Sequence, residues 1–199
     1  MIEAIKFLAN KYGLTDNFLS KNAELAAWLN VNPEHLLTVY YIESRFNPKA
    51  VNPLSNATGI IQWMPSTAQW LGTTTSYLKT LTAEQQLDWV KKYMAPYKGR
   101  MKNIADVYLA VFFPAAIGKP DNYVLQTSSL SAERIAKWNP AYDLNKDNKL
   151  TKGEVKQKIT EIASSIGLKK KITIGISGLL LTTLAIIGYR AYTKKKTKN

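Results

Sequence analysis

The chain has no cysteine and a single histidine, His35, among its 199 residues. The first absence excludes a disulfide framework and any thiolate metal site, and the second excludes a multi-histidine zinc site within one chain. His35 itself reads as a surface or half-buried helical residue. Acidic residues are missing from two stretches: none lies between Phe46 and Glu84, and none follows Glu161. No segment keeps up a long apolar–polar alternation, which argues against a sheet-based core. What remains is a mainly α-helical globular part with room for one small hairpin.

Charge is plentiful but unevenly placed. The formal net charge is +13, from 27 Lys and Arg against 14 Asp and Glu. Lys169, Lys170, Lys171, Arg190, Lys194, Lys195, Lys196 and Lys198 are eight of those cations, which leaves +5 for the rest of the chain. A nucleic-acid partner read from the total would therefore be misled by the tail, and none is expected. The smaller surplus on the globular part suits an anionic polymer such as a cell wall, through long-range attraction.

Along the chain, Met1–Leu8 looks like a short amphipathic helix rather than a secretory leader. A helix is expected over roughly 19–29. Another follows Asn32-Pro33-Glu34, where a capping residue, a first-turn proline and an acid coincide. Residues 47–58 are rich in Asn, Pro and Ser and read as a loop. Pro65 opens a helix to about Leu71, and Thr73–Thr75 reads as a connection. Thr82-Ala83-Glu84-Gln85 is a capping box for a helix to about Tyr93, and 104–113 is an apolar helix stopped by Pro114. From Leu168 the character changes. Ile172–Tyr189 is an uncharged run of 18 residues between basic flanks, which as a helix would span about 27 Å. Tyr189, Tyr192 and the flanking lysines are interface anchors. Three basic residues precede the run and five follow it, a bias that places the C-terminus on the cytoplasmic side and the globular part on the other.

Two blocks carry the chemistry: Glu43-Ser44-Arg45-Phe46-Asn47-Pro48, and Gly59-Ile60-Ile61-Gln62-Trp63-Met64-Pro65-Ser66-Thr67-Ala68. Together they resemble the signature of lytic transglycosylases, lysozyme-like enzymes that cut the glycan strands of bacterial peptidoglycan. The resemblance covers roughly Asn32 to Phe113, with one residue more between the blocks than is commonest. It implies that Glu43 is the catalytic acid and that the second block walls the sugar cleft. Glu43 follows Tyr40-Tyr41-Ile42, apolar neighbours able to desolvate its carboxyl and keep it protonated near neutrality. Ser44 and Gln62 offer hydrogen bonds to substrate or carboxyl, Trp63 a flat face for a sugar ring, and Met64 a place on the cleft wall. Where relatives carry Ala-Tyr-Asn-Ala-Gly, this chain has Val111-Phe112-Phe113-Pro114-Ala115-Ala116. Phe113 is expected in the tyrosine's place, without its hydroxyl.

Ordinary glycoside hydrolases need two carboxyl groups, one an acid and the other a nucleophile or base. The family, as the resemblance implies, uses one glutamate twice. It protonates the leaving oxygen, then takes the proton of the muramic acid C6 hydroxyl as a 1,6-anhydro ring closes. The acid-free stretch from Phe46 to Glu84 favours that outcome, with Asp88, Asp106 and Asp121 as the residues that could return in space.

Asp143–Glu154 matches the twelve-residue EF-hand calcium loop. Asp143, Asn145, Asp147 and Thr151 stand at positions one, three, five and nine, the Lys149 carbonyl at seven and Glu154 at twelve. Asn148 holds the position usually glycine and tolerates the left-handed turn. A structural Ca²⁺ is expected there.

The whole reads as a mainly α protein: a lysozyme-like catalytic domain at 1–138, the EF-hand-like loop and following helix at 139–167, and a single transmembrane helix (about 172–189) with a basic tail in 168–199. The expected partners are peptidoglycan, a lipid bilayer, and virion or envelope proteins. The expected setting is a single-pass protein of a phage virion membrane or a bacterial envelope, its enzyme facing the wall. The alternatives are a hydrolytic muramidase, a glycan-binding structural membrane protein and a calcium-dependent adaptor.

Overall fold

Among the described residues, the helix carrying Glu43 packs against three others. A computed structural model describes residues 2–168, and among these there are nine α-helices. They are α1 (Ile2–Tyr12), α2 (Asp16–Leu29), α3 (Pro33–Ser44), α4 (Pro65–Trp70), α5 (Thr75–Thr80), α6 (Ala83–Met94), α7 (Ile104–Phe112), α8 (Ala132–Trp138) and α9 (Lys152–Ser165). There is no strand among the described residues, only isolated antiparallel bridges at Val51–Thr58, Thr58–Trp63 and Val124–Thr151.

Local chemistry sets the helix starts. Asn32 caps α3 by accepting the Glu34 amide at 2.9 Å, with Pro33 as the first helical residue. The capping box expected at Thr82 and Gln85 is present in both directions. Thr74 accepts the Tyr77 amide and starts α5, so the threonine run is a helix start rather than a plain connection.

Packing places α3. Leu36, Leu37, Val39 and Tyr40 are buried, and α3 packs on α2, α7 and α9, while α2 also packs on α6. The segment expected as a separate piece at 139–167 joins this packing. α9 buries Val155, Ile159 and Ala163 against α3 and α7, so the expected division after residue 138 marks no break in the core. Two ionic and backbone ties strengthen the join. Lys152 reaches Asp106 on α7 at 2.6 Å with both side chains buried, and the Leu125 amide donates to the Leu150 carbonyl at 2.8 Å.

The expected membrane span at 172–189 and the basic tail lie outside the described residues. Among the described residues no helix is long and apolar enough to cross a membrane.

Candidate active site

Helix α3 ends abruptly. Arg45 and Phe46 both take left-handed backbone conformations, φ 54° and 63°, immediately after Glu43-Ser44. Two successive non-glycine residues there cost free energy, about 1–2 kcal/mol each. Their side chains offset it: the Arg45 guanidinium lies 3.8 Å from the Tyr41 ring centre, and Phe46 is buried against Tyr12 and Tyr41. The turn leaves Glu43 half-buried at the helix end.

Burial pushes the Glu43 carboxyl up to about 7, from an ordinary 4.5. A group so placed is available as an acid near neutrality and can then serve as a base. Tyr93, Tyr108 and Tyr142 lie within electrostatic reach of it. Burial raises each of these hydroxyls, and the Glu43 charge adds to the rise in all three. No second carboxylate contributes to the Glu43 shift. Each of the three aspartates that could have returned in space is held by a lysine: Asp88 by Lys21 at 2.8 Å, Asp106 by Lys152 at 2.6 Å, and Asp121 by Lys156 at 2.7 Å.

The second block folds as a hairpin beside the helix end. Thr58 and Trp63 exchange both backbone hydrogen bonds, at 3.0 and 2.9 Å, around a tight turn closed by the Gln62 amide on the Gly59 carbonyl. Only glycine fits at 59. Its φ is +87°, and a Cβ would stand 2.8 Å from both Gln86 Oε1 and Trp63 Cζ3. Two side chains fasten the turn. The Ser44 hydroxyl is shared between the Tyr40 carbonyl at 3.1 Å and the Ile60 carbonyl at 3.2 Å. Gln86, fully buried on α6, accepts the Ile60 amide at 2.8 Å and donates to the carbonyls of Pro48 and Leu78 at 2.7 and 2.8 Å.

Of the expected cleft residues, Ser44 bonds the hairpin that carries Gln62, and Glu43 precedes Ser44 on the helix. Gln62 is half-buried, with its amide nitrogen on the Gly59 carbonyl at 3.0 Å. Met64 is exposed. Two expectations are corrected. Trp63 is only 2% exposed and cannot offer a face to a sugar, because the Thr58–Trp63 bridge turns its ring inward over Gly59. Phe113 is likewise buried, and it is the preceding Phe112 that stacks with Tyr108 and Tyr142, at centroid distances of 5.5 Å each. Gln86, Tyr93, Tyr108 and Tyr142 were not among the expected site residues. The i, i+4 spacing of Tyr108 and Phe112 on α7 was the one local hint of an aromatic face.

In the loop that follows, Asp143 accepts the amides of Asp147 and Asn148 at 3.2 and 3.0 Å, Asn145 that of Asp147 at 3.0 Å, and Asp147 that of Lys149 at 2.9 Å. Glu154 accepts the Leu144 and Asn145 amides with one oxygen, and the Thr151 amide and hydroxyl with the other. Asn148 adopts the left-handed turn, φ 63°, that its position in the loop demands. The carboxylates thus cap the loop's own backbone. Among the described residues no three His, Cys, Asp or Glu side chains converge closely enough to hold a metal.

Residues 21–112 match the family model described as the transglycosylase SLT domain. No curated protein matches the chain. The matched span takes in Glu43, the hairpin, Gln86, Tyr93 and Tyr108, and it stops short of Tyr142 and the loop.

Proposed function

We propose, for a chain that belongs to the lytic transglycosylases through its domain at residues 21–112, a peptidoglycan lytic transglycosylase in which Glu43 is the only carboxyl that acts on the bond. Protonated Glu43 gives its proton to the oxygen of the β-1,4 link between MurNAc and GlcNAc. That C–O bond breaks as the muramic acid C1 becomes oxocarbenium-like, and GlcNAc departs with a free 4-hydroxyl. The carboxylate then takes the proton of the C6 hydroxyl, whose oxygen closes on C1 as 1,6-anhydro-MurNAc. Glutamic acid is restored and no water is consumed. The supporting observation is a lone carboxyl raised to about 7, with Asp88, Asp106 and Asp121 each bound by a lysine. A hydrolase would need a second carboxyl facing the first across roughly 5–9.5 Å.

The test is digestion of purified peptidoglycan by the full-length chain beside a Glu43→Gln variant, with the soluble products weighed by mass spectrometry. Anhydro-muramic ends from the wild type alone are expected. Products one water heavier would replace this reading with a hydrolytic muramidase. Binding without cleavage would replace it with a structural glycan-binding protein.

Two further parts of the proposal concern the setting. The apolar run 172–189 with its basic flanks anchors the enzyme in a bilayer, of a phage virion or a bacterial envelope, with the catalytic part towards the wall. Virion or envelope proteins would be its neighbours there. Wild type should remain with membranes after a high-salt wash, and deletion of residues 172–189 should release it. Calcium binds the Asp143–Glu154 loop as a structural ion. The hard-oxygen ligand set and the left-handed Asn148 support this reading, and Asp143, Asp147 and Glu154 would turn from the loop amides to the ion. Calcium should raise the unfolding midpoint of the wild type over that in chelator, and leave Asp143→Ala unchanged.

A further inference from the structure

Positive charge on the globular part is concentrated in one stretch. Between Glu84 and Asp106 the chain carries Lys91, Lys92, Lys98, Arg100 and Lys102. The one acid among them, Asp88, is held by Lys21 at 2.8 Å. All five cations are exposed, and none enters an ion pair among the described residues. Lys91 and Lys92 stand in the last turn of α6, where a helix end favours positive charge. Lys98, Arg100 and Lys102 lie beyond it, so the helix end does not account for them.

Aromatic rings seat these charges. The ammonium groups of Lys91 and Lys98 lie 4.9 and 4.3 Å from the centre of one ring, that of Trp28. Lys92 lies 4.1 Å from the Trp89 ring, and the Arg100 guanidinium 6.0 Å from that of Tyr97. The turn that presents Lys98 and Arg100 is pinned to the end of α2, where the Gly99 amide donates to the Leu29 carbonyl at 3.2 Å. Two lysines drawn onto one ring repel each other, and no carboxylate of the described residues pairs with either. An anion from outside would offset that repulsion.

The surroundings narrow the choice of anion. Trp28, Trp89 and Tyr97 are half-buried with cations over their rings, which leaves little ring face on which nucleic-acid bases could stack. None of the large apolar side chains exposed on the described residues belongs to this surface, so it has nothing to insert among lipid chains. What it offers is a group of cations at an open face, suited to separate carboxylates on a flexible chain. Peptidoglycan, the substrate of the family, bears such carboxylates on its peptide stems.

We propose that Lys91, Lys92, Lys98 and Arg100, seated on Trp28, Trp89 and Tyr97, form a docking surface for the carboxylates of peptidoglycan's peptide stems. It holds the enzyme on the wall through several weak, exchangeable ionic contacts, separate from the bond-breaking step. This rests on peptidoglycan as the substrate and not on the role of Glu43.

The experiment measures binding of the full-length chain to purified insoluble walls at low and high salt. One variant carries Lys91→Gln, Lys92→Gln and Lys98→Gln. Its reference carries Lys194→Gln, Lys195→Gln and Lys196→Gln, which removes the same charge from the tail. The first should bind walls about tenfold or more weakly than wild type, with a shallower salt dependence and an unchanged unfolding midpoint. The tail variant should bind as wild type does. Walls whose carboxylates have been converted to amides should hold wild type no better than the first variant. If that variant unfolds, Lys98→Gln with Arg100→Gln, both outside the helices, decides in its place. Equal losses from the two triple variants, wild-type binding by the first, or undiminished binding to amidated walls would overturn the proposal. Loss of binding to phosphatidylglycerol vesicles with walls still held would assign the surface to a bilayer and overturn it too. Glu43→Gln should bind walls as wild type does, so a failure of the catalytic assignment would show in the products and leave these results standing.

Discussion

Glu43 and Asp106 are carboxyls drawn into the same helical body, on helices that pack against each other, and their surroundings treat them in opposite ways. Burial alone acts on Glu43 and lifts it to about 7. Asp106 is the more deeply buried, and burial pushes it up too. Lys152, the amides of Lys102 and Gly118, and the Asn103 side chain outweigh that and hold it below its ordinary value. Burial by itself does not decide what a carboxyl becomes. The number of donors aimed at it does: none yields a proton source, four yield a structural anchor.

The largest effect should come from removing the acid. Glu43→Gln should slow glycan cleavage by at least about 10³-fold, measured as anhydro-product release. The fold favours neutral Glu43, so its penalty is absent below the ordinary 4.5, grows as pH rises towards about 7, and is constant above that. The same substitution should therefore leave stability unchanged at pH 4 and raise it by about 3 kcal/mol at pH 8, read by denaturant unfolding. Equal effects at both pH values would contradict the burial argument. Wild-type turnover should fall as pH rises through about 7, because the acid form is lost.

Breaking the anchor should cost stability instead. Asp106→Asn leaves Lys152 buried without its counter-ion, a loss of about 3–5 kcal/mol, whereas Asp106→Leu together with Lys152→Met should recover much of it. The depressed carboxyl gives the opposite pH sign to Glu43. Its contribution is present above the ordinary 3.8 and is lost as pH falls towards the folded value. A wild-type midpoint flat across pH 3–5 would count against it. Gln86→Leu should follow, with about 2–3 kcal/mol lost and cleavage impaired because the hairpin loses its buried fastener. Smallest is Ser44→Ala, about 1 kcal/mol. It removes the link between helix end and hairpin, and a midpoint identical to wild type would show that link to be idle.

The sequence made the helix starts and the desolvated Glu43 carboxyl legible, because both depend on residues close together in the chain. Asn32-Pro33, the Thr82–Gln85 box and Glu43 behind two tyrosines needed only local patterns. What it hid was set by distance or by handedness. Gln86 reaches Ile60 across 26 residues, and Tyr142 reaches Tyr108 across 34, with no periodicity to announce either. Trp63 looked like a cleft residue because it adjoins Gln62. Gln62 takes a left-handed φ of 55°, and the backbone reversal there sends the next ring into the core.

The Gly59–Gln62 turn has one consequence on a different scale, that of time. Turns without strands ordinarily exchange their amide hydrogens with water within local openings of small free energy. Here the Ile60 amide is bonded to the side chain of Gln86, itself sealed in the core, so deuterium can reach it only when α6 separates from the hairpin. The Ile60 amide should then label as slowly as those of the helices around it.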